Sequence, residues 1–245
     1  MDRMIYLAMS GAKALSQRQE ALTNNLANAS TSGFRADMMT FRSVPVRAEG
    51  TATTRVFNLE ATAGFSVEPG PVSTTGRSLD AAIRGQGWFV VQTPDGNEAL
   101  TRNGNFHIGA DGTLQTANGL PVVGDGGPIT LPPNAEVLFG ADGTITARQG
   151  NQPPLQVGKL KLANPEANTL AKGADGMVRI TGGDPPTDDP AVRIADGALE
   201  GSNVNVVESM VGMIALARQF EMQMKLLSNA EQNEQRAAQL LSLKG

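Results

Sequence analysis

One histidine, no cysteine and 24 carboxylates are what this 245-residue chain offers to chemistry. The histidine, His107, stands in NFHIGADG beside a turn signal. A zinc centre needs several Cys, His or carboxylate ligands at set spacing, and His107 has no Cys or second His to join it, so an ordinary strand histidine is the favoured reading. Gly85-Gln-Gly87 is followed by Trp-Phe and precedes a strand. It neither completes Gly-x-Gly-x-x-Gly nor opens a helix, which rejects a dinucleotide site. Asp184, Asp188 and Asp189 crowd one segment but lack EF-hand spacing, and they read as a solvated loop. Asn28-Ala29-Ser30 matches a glycosylation sequon, as do many unmodified stretches. Aromatic residues, at 4%, are too few to infer a carbohydrate-stacking groove. The expectation is a protein that is not an enzyme, with no catalytic, cofactor-binding or metal residues and no cofactor.

The totals narrow the class further. With 40% hydrophobic and 18% charged residues, the chain can build a core and is not disordered throughout. A net charge of −4 argues against a general nucleic-acid binder. Disulfides are excluded by composition. No run approaches the roughly 18 apolar residues of a membrane span, so no membrane insertion is expected. The opening MDRMIYLAMSGAKALSQRQ has no unbroken apolar core of a secretory signal. That pattern suits a cytoplasmic protein or one exported without a cleaved signal.

What chemistry leaves unexplained is a cluster of amides. TNNLANASTSGFR, residues 23–35, places Asn24, Asn25 and Asn28 at the end of a helical pattern. Asn24 and Asn28 share a face, and amides beside an apolar seam fix register at some cost in stability. An interface role is therefore expected of Asn24 and Asn25. Asn28 through Gly33 also reads as helix termination, with Gly33 in a left-handed turn. Asn203 and Asn205 supply amides where a second helix begins, a position suited to capping.

The elements that position these amides differ sharply along the chain. All 14 prolines lie between Pro45 and Pro190, and nine of the ten methionines lie in residues 1–43 or 203–245. Helices are expected at both ends and β-structure between them. Met1, Ile5, Ala8, Ala12, Leu15, Gln19, Leu22 and Leu26 follow a heptad-like stripe. So do Val206, Met210, Met213, Ala217, Phe220, Met224, Leu227, Glu231, Glu234, Ala238 and Leu241. Spacing near 3.5 predicts that the N- and C-terminal helices pair as a coiled coil. The expected organisation is an α+β fold: an N-terminal helix and motif at 1–43, an extended connector at 44–78, a central, mainly antiparallel β domain at 79–200, and a long helix at 201–245. In the middle, WFVV at 88–91 and the alternating residues 157–162 read as strands. Asp95-Gly96, Asn103-Gly104, Asp111-Gly112, Asn118-Gly119 and Asp142-Gly143 read as hairpin turns, and GADGT occurs at both 109–113 and 140–144. Residues 182–190, GGDPPTDDP, read as a loop.

Three stretches, in order and covering nearly the whole chain, resemble the bacterial flagellar rod and hook proteins. The first is LTNNLANASTSGFR at 22–35, with Thr23 where the family usually has Ala. The others are LDAAIRGQGWFVV at 79–91 with LTRNGNFHIGADGTLQTANGLPVVG at 100–124, and SNVNVVESMVGMIALARQFEMQMKLL at 202–227. Leu100 and His107 depart from the residues usual there. The opening MDRMIYLAMSGA is most similar to the proximal-rod member.

The resemblance implies a self-assembling structural subunit of the flagellar basal-body rod, its terminal helices forming an inner tubular layer that transmits torque. It implies export by the flagellar type III apparatus and residence in the periplasm-spanning basal body. The implied partners are further copies in a helical assembly, neighbouring rod proteins and, during growth, the rod-capping protein. Physical reasoning agrees in kind, because head-to-tail contacts build open filaments. The assembly interface is expected at Ile5, Leu15, Leu22, Asn24, Asn25, Leu26, Asn28, Gly33, Phe34, Asn203, Asn205, Met210, Met213, Phe220, Met224 and Leu227. The alternatives are the distal-rod paralogue, or a secreted β-rich adhesin-like protein with a coiled-coil stalk.

Overall fold

The apolar run at 88–91 is uninterrupted because both faces of its strand are covered. In the computed structural model, which describes residues 2–45, 56–133, 135–150 and 152–242, Trp88–Gln92 lies inside a five-stranded antiparallel sheet. Side chains are described for 9–40, 64–133, 135–150, 152–229, 231–233 and 235–236. The strand order is Leu162–Ala163, Trp88–Gln92, Glu98–Thr101, Val178–Ile180, Leu170–Lys172. Alternate side chains point to opposite faces. Phe89 and Val91 join one buried cluster with Phe106, Phe139 and Ile145. Trp88 and Val90 join another with Phe65, Leu100 and Val178. Phe106 centres the first cluster, edge-on to Phe89 at 5.2 Å and to Phe139 at 6.0 Å. Each such fully buried side chain contributes about 1.5–3 kcal/mol.

The chain divides into two compact units. The β unit comprises residues 28–36 and 65–204, and the helical unit comprises 1–27, 37–64 and 205–245.

Besides the five-stranded sheet, the β unit holds a three-stranded sheet, Glu136–Phe139, Thr144–Arg148 and Leu155–Lys159. It also holds antiparallel strand pairs, among them Ala81–Arg84 with Arg193–Asp196 and Val72–Thr74 with Ala198–Glu200. Residues 157–162, expected as one strand, are divided. Leu155–Lys159 completes the three-stranded sheet, while Leu162–Ala163 crosses to pair with Phe89 and Trp88. The change of sheet carries both Leu160 and Leu162 into the core. Residues 182–190 form neither helix nor strand, but Asp188 is anchored, its Oδ1 accepting the Leu162 N–H at 3.0 Å.

Two repeated turns take the same form. In each, the first aspartate oxygen accepts the backbone N–H of the threonine two residues on, at 3.1 Å. The second oxygen accepts that threonine's hydroxyl, at 2.7 Å for Asp111–Thr113 and 2.8 Å for Asp142–Thr144. A third copy, Gly173-Ala-Asp-Gly176, closes Leu170–Lys172 onto Val178–Ile180, with Met177 N–H on Asp175 Oδ1. Asn103-Gly104 is not a hairpin turn. Gly104 lies where a Cβ would fall 1.6 Å from the Ala81 carbonyl oxygen, and the Gly104 oxygen accepts the Ala81 N–H at 3.0 Å. Glycine is there because two backbones meet.

The helical unit contains α1, Asp2–Ala27, and α2, Val206–Ser242, with the strand pair Asp37–Pro45 and Val56–Phe65. Within the segment expected as a connector, residues 46–55 lie outside the described residues. The expected coiled coil is overturned. The seam assigned to α2 is open to solvent at Met210, Phe220 and Met224, which are 48%, 41% and 48% exposed. The fully covered residues of α2, Ser209 and Leu216, lie outside that seam, with Gly212 and Gln223 half-buried beside Met213 and Leu227 of the seam. That line carries a serine, a glycine and a glutamine. Leu22 approaches Gly212, its methyl 3.0 Å from where a Cβ would sit, and the Gln223 amide lies 3.1 Å from the same point on Gly11. Small and polar residues allow close approach where a coiled coil needs apolar knobs in holes. The architecture is a mostly β central domain between an N-terminal helix and one long C-terminal helix.

Candidate functional site

The end of the amide-rich motif folds as part of the β unit, and it does so by burying charge. Glu200, on the strand Ala198–Glu200, is fully enclosed. Its Oε1 lies 2.7 Å from Arg35 Nη1 and accepts the Gly70 N–H at 2.8 Å. Its Oε2 accepts from Arg102 Nη1 at 2.9 Å. One carboxylate thus serves two buried guanidiniums. Arg102 also donates to the Gly85 carbonyl at 2.6 Å. Arg35 Nη1 is near enough to Glu200 for an ion pair but off the hydrogen-bond direction, and its other nitrogens have no hydrogen-bond partner among the described residues. Trp88 takes up part of the excess charge, with its ring centroid 5.7 Å from the Arg35 guanidinium carbon and 5.5 Å from that of Arg102. Burial pushes Arg102 down to about 10; Glu200 opposes the shift and the nearby Arg35 adds to it.

Around this triad the motif is fitted residue by residue. Gly33 has φ +69°, and a Cβ there would stand 2.3 Å from the Arg102 carbonyl carbon, so glycine alone fits. Its N–H donates to the Glu200 carbonyl at 2.8 Å. The Lys172 ammonium sits 4.0 Å from the Phe34 ring centroid and donates to the Arg35 carbonyl at 2.9 Å. Asn28 ends the helix by turning, its carbonyl accepting the Thr31 N–H and its Oδ1 the Thr31 hydroxyl, both at 3.1 Å. Asn203 Oδ1 accepts the Ala36 N–H at 2.7 Å, and its Nδ2 donates to the carbonyls of Glu68 and Ser66 at 2.8 and 3.4 Å.

In the helical unit, Asn25 is buried and clasps the start of the strand Asp37–Pro45. Its Nδ2 donates to the Asp37 carbonyl at 2.9 Å, and its Oδ1 accepts the Asp37 N–H at 2.7 Å. Asn24 is exposed and donates to the Asp37 carboxylate. Asn205 Oδ1 accepts the Glu208 N–H at 3.2 Å, the bond of a helix cap. Leu15, Leu22, Leu26, Met213 and Leu227 are half-buried. Ile5 lies in α1, and its side chain is outside the described residues. The structure therefore gathers Asn28, Gly33, Phe34 and Asn203 in the β unit. It gathers Leu22, Asn24 and Asn25 in the helical unit and leaves Met210, Phe220 and Met224 open. Sequence reasoning missed Arg35, Arg102, Lys172 and Glu200, for which no local pattern gives a signal.

A cavity of about 70 Å³ against Trp88 and Arg102 is far below the roughly 300–1,000 Å³ of ligand pockets. Among the described residues no group of three His, Asp or Glu could hold a metal, and no helix is long and apolar enough to cross a membrane.

Comparison with known proteins agrees with this picture. Residues 5–35 match the family model for the flagella basal body rod protein, residues 82–147 that for the flagellar hook protein FlgE/F/G D1 domain, and residues 195–240 that for the flagellar basal body rod FlgEFG protein C-terminal region. The flagellar basal-body rod protein FlgF of Salmonella typhimurium is 46% identical, the match covering 99% of this chain and 100% of that protein. FlgF of Escherichia coli is 44% identical over the same shares. The flagellar basal-body rod protein FlgG of Buchnera aphidicola from Schizaphis graminum is 32% identical over 96% of this chain and 98% of that protein. With a compact β unit, a buried ionic anchor for the motif and an apolar helix face open to solvent, the chain belongs to the flagellar basal-body rod protein family, as a FlgF-like structural subunit.

Proposed function

We propose that the chain is a proximal-rod subunit that is not an enzyme and assembles through the open face of α2. The observation that carries this is the apolar surface of that helix. Val207, Val211, Ile214, Met222 and Leu226 are each more than half exposed, Val207 at 70%. Val207, Val211, Ile214 and Met222 follow helical spacing along one stripe, and Met210, Phe220 and Met224 run along a second. Apolar surface of this extent marks an interaction site. Methionine suits contacts with neighbours that differ slightly from copy to copy, because its side chain adapts to irregular gaps.

The partners of this reading are further copies of the chain, adjoining rod proteins and the rod-capping protein during growth. Delivery is through the flagellar type III apparatus, and the final location spans the periplasm. Deleting the gene should abolish swimming, and a tagged copy should restore it and appear in the rod of isolated basal bodies. A deletion strain that swims normally rejects the reading.

A further inference from the structure

The chain passes between its two units four times, at 27/28, 36/37, 64/65 and 204/205. Three of these passages begin from backbone tied to one side chain of the β unit. Asn203 Oδ1 holds the N–H of Ala36, and its Nδ2 reaches the carbonyls of Ser66 and Glu68. Its own N–H donates to the Phe34 carbonyl at 3.3 Å. Ser66 N–H closes the circuit on the Ala36 carbonyl at 2.8 Å.

We propose that Asn203 is the positioning residue that fixes where the chain leaves the β unit at its three neighbouring exits, and that rod assembly depends on it. The inference rests on the rod reading above. The chemistry selects this residue type. An amide offers one acceptor and two donors from a single planar group, and all are used here in opposite directions. Aspartate keeps the acceptor and loses both donors. Alanine loses everything. Because the amide is neutral, the tie needs no counter-charge and does not titrate.

Position matters because the elements beyond the exits are long. The 37 residues of α2 extend roughly 55 Å. Assembly through repeated head-to-tail contacts needs the same chain path in every copy.

The test uses the full chain carrying Asn203→Ala or Asn203→Asp, both purified and returned to a deletion strain. Hydrogen exchange of the purified chains reads the tie directly. In Asn203→Ala the Ala36 amide should exchange about tenfold faster, while the amides of Val90 and Leu100 in the five-stranded sheet keep their protection. The aspartate variant should keep Ala36 protected and expose Glu68 and Ser66 to rearrangement. Both should reduce swimming and rod incorporation, alanine the more. The proposal is overturned if Val90 and Leu100 lose protection in step with Ala36 in both variants, since Asn203 then serves folding alone. It is equally overturned if swimming is normal while Ala36 exchanges fast. Either failure leaves the rod reading standing, which falls only if the deletion strain itself swims.

Discussion

Arg35 and Arg102 approach one carboxylate from two sides, and all three groups are enclosed. Removing a partner from such a cluster leaves uncompensated charge inside the protein, which costs about 3–5 kcal/mol. Glu200→Gln keeps the shape and removes the charge, so a loss of that order is expected, read as a lower urea midpoint at unchanged slope. A midpoint equal to wild type would show that Trp88 and the neighbouring carbonyls suffice for both cations. Smaller electrostatic effects are written in the turns. The Thr113 hydroxyl and N–H hold the Asp111 carboxyl below its ordinary value, and Thr144 does the same for Asp142. A carboxyl whose folded value is depressed adds stability above its unfolded value near 3.8 and loses it as pH falls through the folded one. Thr113→Val removes the hydroxyl, the larger cause, so the Asp111 titration followed by carbon NMR should move back up towards 3.8. No upward movement would mean that the backbone N–H alone sets it. Of these features, the turn at Asn28 and the glycine at 33 were legible, because both are local. The ion triad was not, because its charges come from segments that only the fold brings together.

At the scale of elements, the amides flanking α1 and α2 do different work. Asn205 caps α2 as its place in the sequence suggests. Asn25 splices the end of α1 to the strand Asp37–Pro45 through a reciprocal pair of bonds to one residue. Leaving that strand's first N–H and C=O without partners costs about 1–3 kcal/mol. Asn25→Ala should therefore raise exchange at the Asp37 amide while the sheet amides of the β unit hold. Unaltered Asp37 exchange would remove the splice. Periodicity gave both helices and the strand at 88–91, since 3.6-residue spacing and a short apolar run are local properties. It failed to say which face of α2 would be covered. One apolar stripe borders the covered line and the other lies on the opposite face of the helix. The heptad pattern picked the bordering one, with Met210, Phe220 and Met224, which the chain leaves open, and Met213 and Leu227, which are half-buried. The third GADG turn, at 173–176, was readable in principle, since it differs from the others only in having Met177 where they have threonine.

For the molecule as a whole, the open stripes of α2 and the buried anchor of the β unit predict that assembly and folding can be separated by mutation. Val211→Lys with Ile214→Lys places charge on exposed positions. Each exposed change should alter monomer stability by no more than about 0.5 kcal/mol. Incorporation into the rod should fall steeply, because charge is then desolvated at a subunit contact. Full incorporation of the double variant would move the contact surface elsewhere. The sequence made the family legible through three ordered motifs, and the structure assigns those motifs different duties. The first anchors a loop, the second builds the double-faced sheet and the third presents apolar surface.

Gly104 and Gly126 show how far apart two identical residues can stand. At 126 nothing lies within 4 Å of an added methyl, whereas at 104 that methyl would collide with a neighbouring carbonyl. Evolution can wander at the former. At the latter any novelty must first prise apart the two main chains that lean on each other there, so a glycine tally is a poor gauge of how much of this molecule is free to change.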